Sequence, residues 1–152
     1  MDTRELLTAI RDTIANDQAL RAWCNAEFGS GPTVCLGIDD NNKPKPEDYP
    51  VVAVVGVEQI RGQAGRENLW IVELGVAVRN EEIKVSGNIL TRTGFLQAET
   101  LRELAEDAVY RARILPPETQ GESSSYVIHP VYASHTILTI HQAASSRKGL
   151  PG

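Results

Sequence analysis

The sequence is short of several things at once. Its 152 residues include only two cysteines, one methionine, two tryptophans and two phenylalanines, and aromatic residues make up 5% of the chain. Cys24 and Cys35 have neither C-x-x-C spacing nor a Cys/His cluster around them, so two buried thiols are expected rather than a disulfide. No apolar run approaches the ~20 residues that a membrane helix needs. The opening Met1-Asp2-Thr3-Arg4-Glu5 lacks the basic and apolar regions of a secretion signal, and the expectation is a soluble, intracellular-type protein without a membrane partner. Positive charge is also scarce. Lys and Arg number 15 against 20 Asp and Glu, the net charge is −5, and the longest basic run is Arg147-Lys148. A protein that grips nucleic acid by neutralising phosphates carries a basic surplus, so phosphate-gripping DNA binding is not expected. No internal repeat is visible. The 41% hydrophobic and 23% charged fractions exclude global disorder and fibrous repeats. The length fits one domain, assigned to residues 1–142, followed by a flexible polar tail over 143–152.

Hydrophobic spacing supplies the elements. Asp2 and Glu5 have the spacing of an N-terminal capping box, and Leu6, Leu7, Ile10 and Ile14 follow on one helical face. Asn16-Asp17 offers a second cap, Leu20, Trp23 and Cys24 renew the stripe, and Gly29-Ser30-Gly31-Pro32 ends it. Residues 3–28 therefore read as two helices with a break, or one bent helix. Strands are expected at 33–38, at 51–57, where both faces are apolar, and at 69–79. In the last, Trp70, Val72, Leu74, Val76 and Val78 alternate onto one face. The apolar two-faced run at 51–57 calls for cover on both sides, by this chain or by a neighbouring one. Polar loops are expected at 39–49, 61–68 and 118–125, with a short strand at 83–85. A second long helix is expected over 95–115, with Leu101, Leu104, Ala105, Ala108, Val109 and Ala112 inward, Arg102 among the outward charges, and Pro116-Pro117 as its stop. Tyr126–Tyr132 and Thr136–His141 read as two strands joined at Ala133-Ser134, with Pro130 marking an edge. The order gives an α+β fold: a mostly antiparallel β-sheet with an N-terminal helical segment and a second long helix packed on it.

Candidate chemistry is thin. His129, His135 and His141 span too great a length of one strand to share a metal ion with ligand distances of about 2 Å. A turn near Ala133 would pair only His129 with His135. Asp39-Asp40-Asn41-Asn42 lacks the glycine and terminal glutamate of an EF-hand loop. The glycines between Arg61 and Arg66 do not form a phosphate-binding loop, and no G-x-S-x-G is present. The sequence thus nominates no catalytic residue, no metal and no cofactor. Its polar loops, marked by proline and glycine, point instead to contacts between chains.

Several stretches carry a resemblance. Leu6–Phe28 with Ala22-Trp23-Cys24, then Val34-Cys35-Leu36-Gly37-Ile38-Asp39, then Glu47-Asp48-Tyr49-Pro50-Val51-Val52, resemble small tail-completion proteins of prophages. The order of elements over residues 3–142 resembles the tail terminator proteins of long-tailed phages. The resemblance implies a non-enzymatic virion protein, assembled in the host cytoplasm and located in the tail or neck. It implies a homo-oligomeric ring, a hexamer, that caps the tail tube protein and meets a neck or head-completion protein, with DNA passing through its lumen unbound. The contact residues expected for such a ring are Asp39, Asp40, Lys43, Lys45, Arg61, Arg66 and Arg79, together with the tail. Two alternatives stand beside it. One is a neck or head-completion adaptor; the other, of a different class, is a small enzyme or ligand-binding domain using His129 and His135 beside a carboxylate such as Glu73.

Overall fold

The structure, a computed structural model, describes residues 1–39, 41–62 and 67–143. Helix α1 (Thr3–Asn16) begins on the expected box: the Glu5 N–H donates to Asp2 Oδ1 (2.8 Å) and the Asp2 N–H donates to Glu5 Oε2 (3.3 Å). Two amides that have no partner inside the helix are thereby satisfied. Asp17 breaks the helical run and caps α2 (Gln18–Phe28) by accepting from the Leu20 N–H, and Gly29 ends α2 at φ 76°. The N-terminal segment is two helices.

Strands β1 (Thr33–Leu36), β2 (Val51–Arg61), β3 (Glu67–Arg79), β6 (Gln120–Ile128) and β7 (Val131–Ala143) form one sheet in the order β1-β2-β3-β7-β6. Among the described residues only the β1–β2 pair is parallel. Strands β4 (Ile83–Ser86) and β5 (Ile89–Arg92) make a separate hairpin, and α3 (Thr93–Arg111) follows directly. The fold is α+β, as expected.

One face of the sheet carries the core. Trp70, Val72, Leu74, Val76 and Val78 are buried with Leu6, Ile10 and Ile14 of α1 and with Leu101, Ala105 and Val109 of α3. Leu104 is half-buried at the edge of this cluster. The Trp70 indole N–H donates to Thr3 Oγ1 (2.9 Å), and the Thr3 hydroxyl donates to Gln59 Oε1 (2.9 Å), so a buried ring fixes the start of α1 on the sheet. Gly94 permits the approach of α3: a Cβ there would lie 2.4 Å from the Tyr132 ring.

Several expectations are corrected. Helix α3 begins two residues earlier than expected and ends at Arg111, before the prolines, with Arg113 at φ 57° turning the chain so that Leu115 returns to the core. Ala112, placed inward by its spacing, is exposed because it falls at the helix cap. Arg102, placed outward, is buried. Its guanidinium lies over the sheet, donating to Ser134 Oγ (2.9 Å), Glu106 Oε1 (2.7 Å) and Glu99 Oε2 (3.0 Å). The supposed loop at 118–125 is largely strand β6, its serines paired with β7. Strand β7 runs unbroken through Ala133-Ser134; the turn falls instead at His129-Pro130. Strand β2 extends to Arg61 and β3 begins at Glu67, so the 61–68 loop shrinks, and residues 63–66 lie outside the described residues. Pro46–Asp48 forms one 3₁₀ turn inside the 39–49 loop. Ala143 belongs to β7, and the rest of the expected tail, 144–152, lies outside the described residues.

Candidate functional site

The face of the sheet opposite the helices is built from small and aliphatic residues. In register across it run Val51, Ala77, Ala133 and Tyr126, then Ala53, Gly75, His135 and Ser124. Glycine and alanine leave the middle of this face low. Ile38, Pro44 and Tyr49 of the 37–50 segment stand along one side and Tyr126 and Ile128 of β6 along the other, enclosing an apolar trough of ≈ 560 Å³. Ile38, Lys43, Pro44 and Tyr49 thus lie beside the start of β2, where Val51 and Ala53 are buried along with Val52 and Val54. The apolar two-faced run receives part of its cover from this chain. Beyond Val55 the strand is open, and Val57 and Ile60 are exposed.

A second apolar surface lies at the hairpin. Ser86-Gly87-Asn88-Ile89 is a two-residue turn with Gly87 at φ 61°, the conformation such turns require. Strands β4 and β5 pack chiefly against each other. Val85, Ile89 and Leu90 are 69%, 62% and 55% exposed. A shallow cleft of ≈ 550 Å³ separates the hairpin from β6, lined by Leu90, Phe95, Leu96 and Val127 among others. Sequence reasoning missed this surface because it stopped the strand at Val85. The Gly87-Asn88 pair between apolar residues was the available signal.

The residues nominated as contacts are scattered. Lys43 lines the trough, while Asp39 and Lys45 are exposed beside it, and Asp40 lies outside the described residues. Arg61 is exposed at the end of β2, and Arg66 lies outside the described residues. Arg79 ends β3 and pairs with Glu81 (3.5 Å). Burial pushes the nearby Tyr49 phenol up, partly offset by the Arg79 charge and reinforced by Asp48 and Tyr126.

The histidines do not converge. His129 sits at the β6–β7 turn, its Nδ1 hydrogen-bonded to the Tyr132 hydroxyl (2.7 Å), and His141 is near the other end of β7. His135 is differently placed. Its Nε2 shares a hydrogen bond with Ser124 Oγ (2.5 Å), and its Nδ1 lies 3.4 Å from Glu73 Oε2. Ser124 was not anticipated, because it falls in the 118–125 segment expected to be a loop. Among the described residues, no group of three or more His, Cys, Asp or Glu side chains is arranged to hold a metal ion. Cys24 is buried and Cys35 half-buried, both are free, and burial pushes the Cys24 thiol up to about 11. No helix among the described residues is long and apolar enough to cross a membrane. No protein-family model matches the chain, and no curated protein sequence matches it.

Proposed function

We propose that this chain is a ring-forming structural protein of a long-tailed phage or prophage virion, a tail terminator that caps the finished tail tube and meets the neck. The observation that carries the self-assembling part is the pair of apolar surfaces, the hairpin and the trough, that stand exposed among the described residues of one small α+β domain. Exposed aliphatic area of this kind marks a surface that another protein covers. The position in the virion rests on the resemblance of residues 3–142. The partners in this reading are further copies of the chain, the tail tube protein and a neck or head-completion protein. The net charge of −5 fits a ring through which DNA slides.

Native mass spectrometry and negative-stain images of the purified protein are expected to give a closed ring of six. Particles made without it are expected to carry overlong tails, or tails that fail to join heads. Localisation of the protein to the head side of the neck instead would replace the terminator with a neck adaptor. A strictly monomeric protein absent from virions would overturn the reading.

One observation favours a second reading, a hydrolase. Ser124, His135 and Glu73 form a hydroxyl–imidazole–carboxylate chain of the kind that activates a serine nucleophile. Against it, Ser124 is exposed on the edge strand β6 and, unlike His135 and Glu73, does not line the trough, so water reaches the hydroxyl. Labelling of Ser124 by a fluorophosphonate probe, lost in His135→Ala, would favour the enzyme. No labelling is expected.

A further inference from the structure

A two-stranded hairpin with exposed aliphatic side chains is marginal in water unless something packs on it. The β4–β5 hairpin is in that position, and among the described residues Val85, Ile89 and Leu90 remain largely exposed. Its charge is also unlike that of the rest of the chain. From Ile83 to Arg92 it carries Lys84 and Arg92 and no acidic residue, on a chain of net charge −5, so the remainder carries −7. Arg92 makes no ion pair among the described residues, and Lys84 only a 3.6 Å contact with Glu82. The arm is therefore aliphatic at its tip and cationic at its sides. The trough is its complement. Its floor is Ala53, Gly75, Ala77 and Ala133, low enough to receive aliphatic side chains; Glu73 lines it 3.4 Å from His135, and Lys43 lines it as well. The described residues of the adjoining 39–49 segment hold three acids, Asp39, Glu47 and Asp48, against Lys43 and Lys45.

We propose that the β4–β5 arm of one copy seats in the trough of a second copy. This rests on the ring-forming reading and supplies its contact. Arm and trough are different surfaces of one chain, so the contact is head-to-tail, and each copy both gives an arm and receives one. Such a contact closes into a ring when its rotation divides the circle.

The test uses two full-length variants. Val85→Asp with Ile89→Asp spoils the arm and leaves the trough; Ala133→Trp fills the trough and leaves the arm. Each alone is expected to lose the wild-type oligomer on native mass spectrometry while keeping its circular dichroism spectrum. Mixed, they are expected to give one new species, a heterodimer of twice the chain mass that grows no further, because only one productive arm–trough contact remains in the pair. A benzophenone amino acid at Leu90, in an otherwise native chain, is expected to cross-link to residues 51–55, 73–77 or 126–135 of another copy, which keeps the proposal testable if either variant misfolds. Cross-links confined to a second hairpin or to another surface would overturn the docking. So would variants that still form the wild-type oligomer, or a mixture that yields no heterodimer. In those three cases an oligomeric wild type leaves the ring reading standing, whereas a wild type that stays monomeric overturns both.

Discussion

Single residues divide into those the core cannot spare and those it tolerates losing. Leu101 is fully buried between α3 and β3, whereas Leu104, on the same stripe, is half-buried. Leu101→Ala should cost about 2–5 kcal/mol through lost burial and the cavity left behind, and Leu104→Ala distinctly less, measured by urea unfolding. Arg102 poses a different problem, a cation placed over a sheet. Two carboxylates and a serine answer it, and without them the desolvated guanidinium would be destabilising. The same network acts on Glu99. Burial works to raise its carboxyl, but hydrogen bonds from Arg102, Ser134 and Ser125, with the Arg102 charge, outweigh burial and hold it below the ordinary carboxylate range. Because the folded value is depressed, its contribution is fully present above the unfolded value of about 4.3 and is lost as pH falls through the folded value. Unfolding free energy followed from neutral pH downwards should therefore fall less steeply below about pH 4.3 in Glu99→Gln than in the wild type.

At the scale of elements, the sheet and the hairpin differ in what holds them. Strands β2, β3 and β7 are buried on the helix side, and β3 and β7 pair over their full lengths. The hairpin is held chiefly by its own ladder and turn. Replacing both Val85 and Ile89 with serine should change unfolding free energy by no more than about 0.5 kcal/mol, measured at concentrations below assembly. A large loss would mean that the hairpin is part of the folding core. Gly94, just past the hairpin, is the opposite case. The Tyr132 ring already occupies the space of a Cβ, so Gly94→Ala should destabilise by about 1–3 kcal/mol through overpacking, visible as a lowered melting temperature.

For the whole molecule, charge and surface decide the behaviour. A body of net charge −5, whose cations are spread over several elements, should leave a short DNA duplex unshifted in a gel-mobility assay at physiological salt. A shift would remove the view that DNA passes this protein without binding. How much was legible beforehand follows from the range of the physics. Helix caps, the alternation of Trp70 to Val78 and most of the stripe of α3 are set by neighbours within a few residues, so the sequence determined the three helices, the buried face of β3 and the α+β class. The start of α3, the strand character of the serine-rich β6 and the inward turn of Arg102 depend on partners far along the chain. Ser123 to Ser125 have weak strand preference and become a strand because β7 supplies the ladder; Arg102 turns inward because Ser134 lies beneath it. The trough exists only because Ala53, Gly75, Ala77 and Ala133, separated along the chain, fall side by side on the sheet. Composition and periodicity fix the segments whose own side chains carry a strong pattern; only the pairing of strands in space decides the weakly patterned ones, which small residues lie together and what surface they leave open.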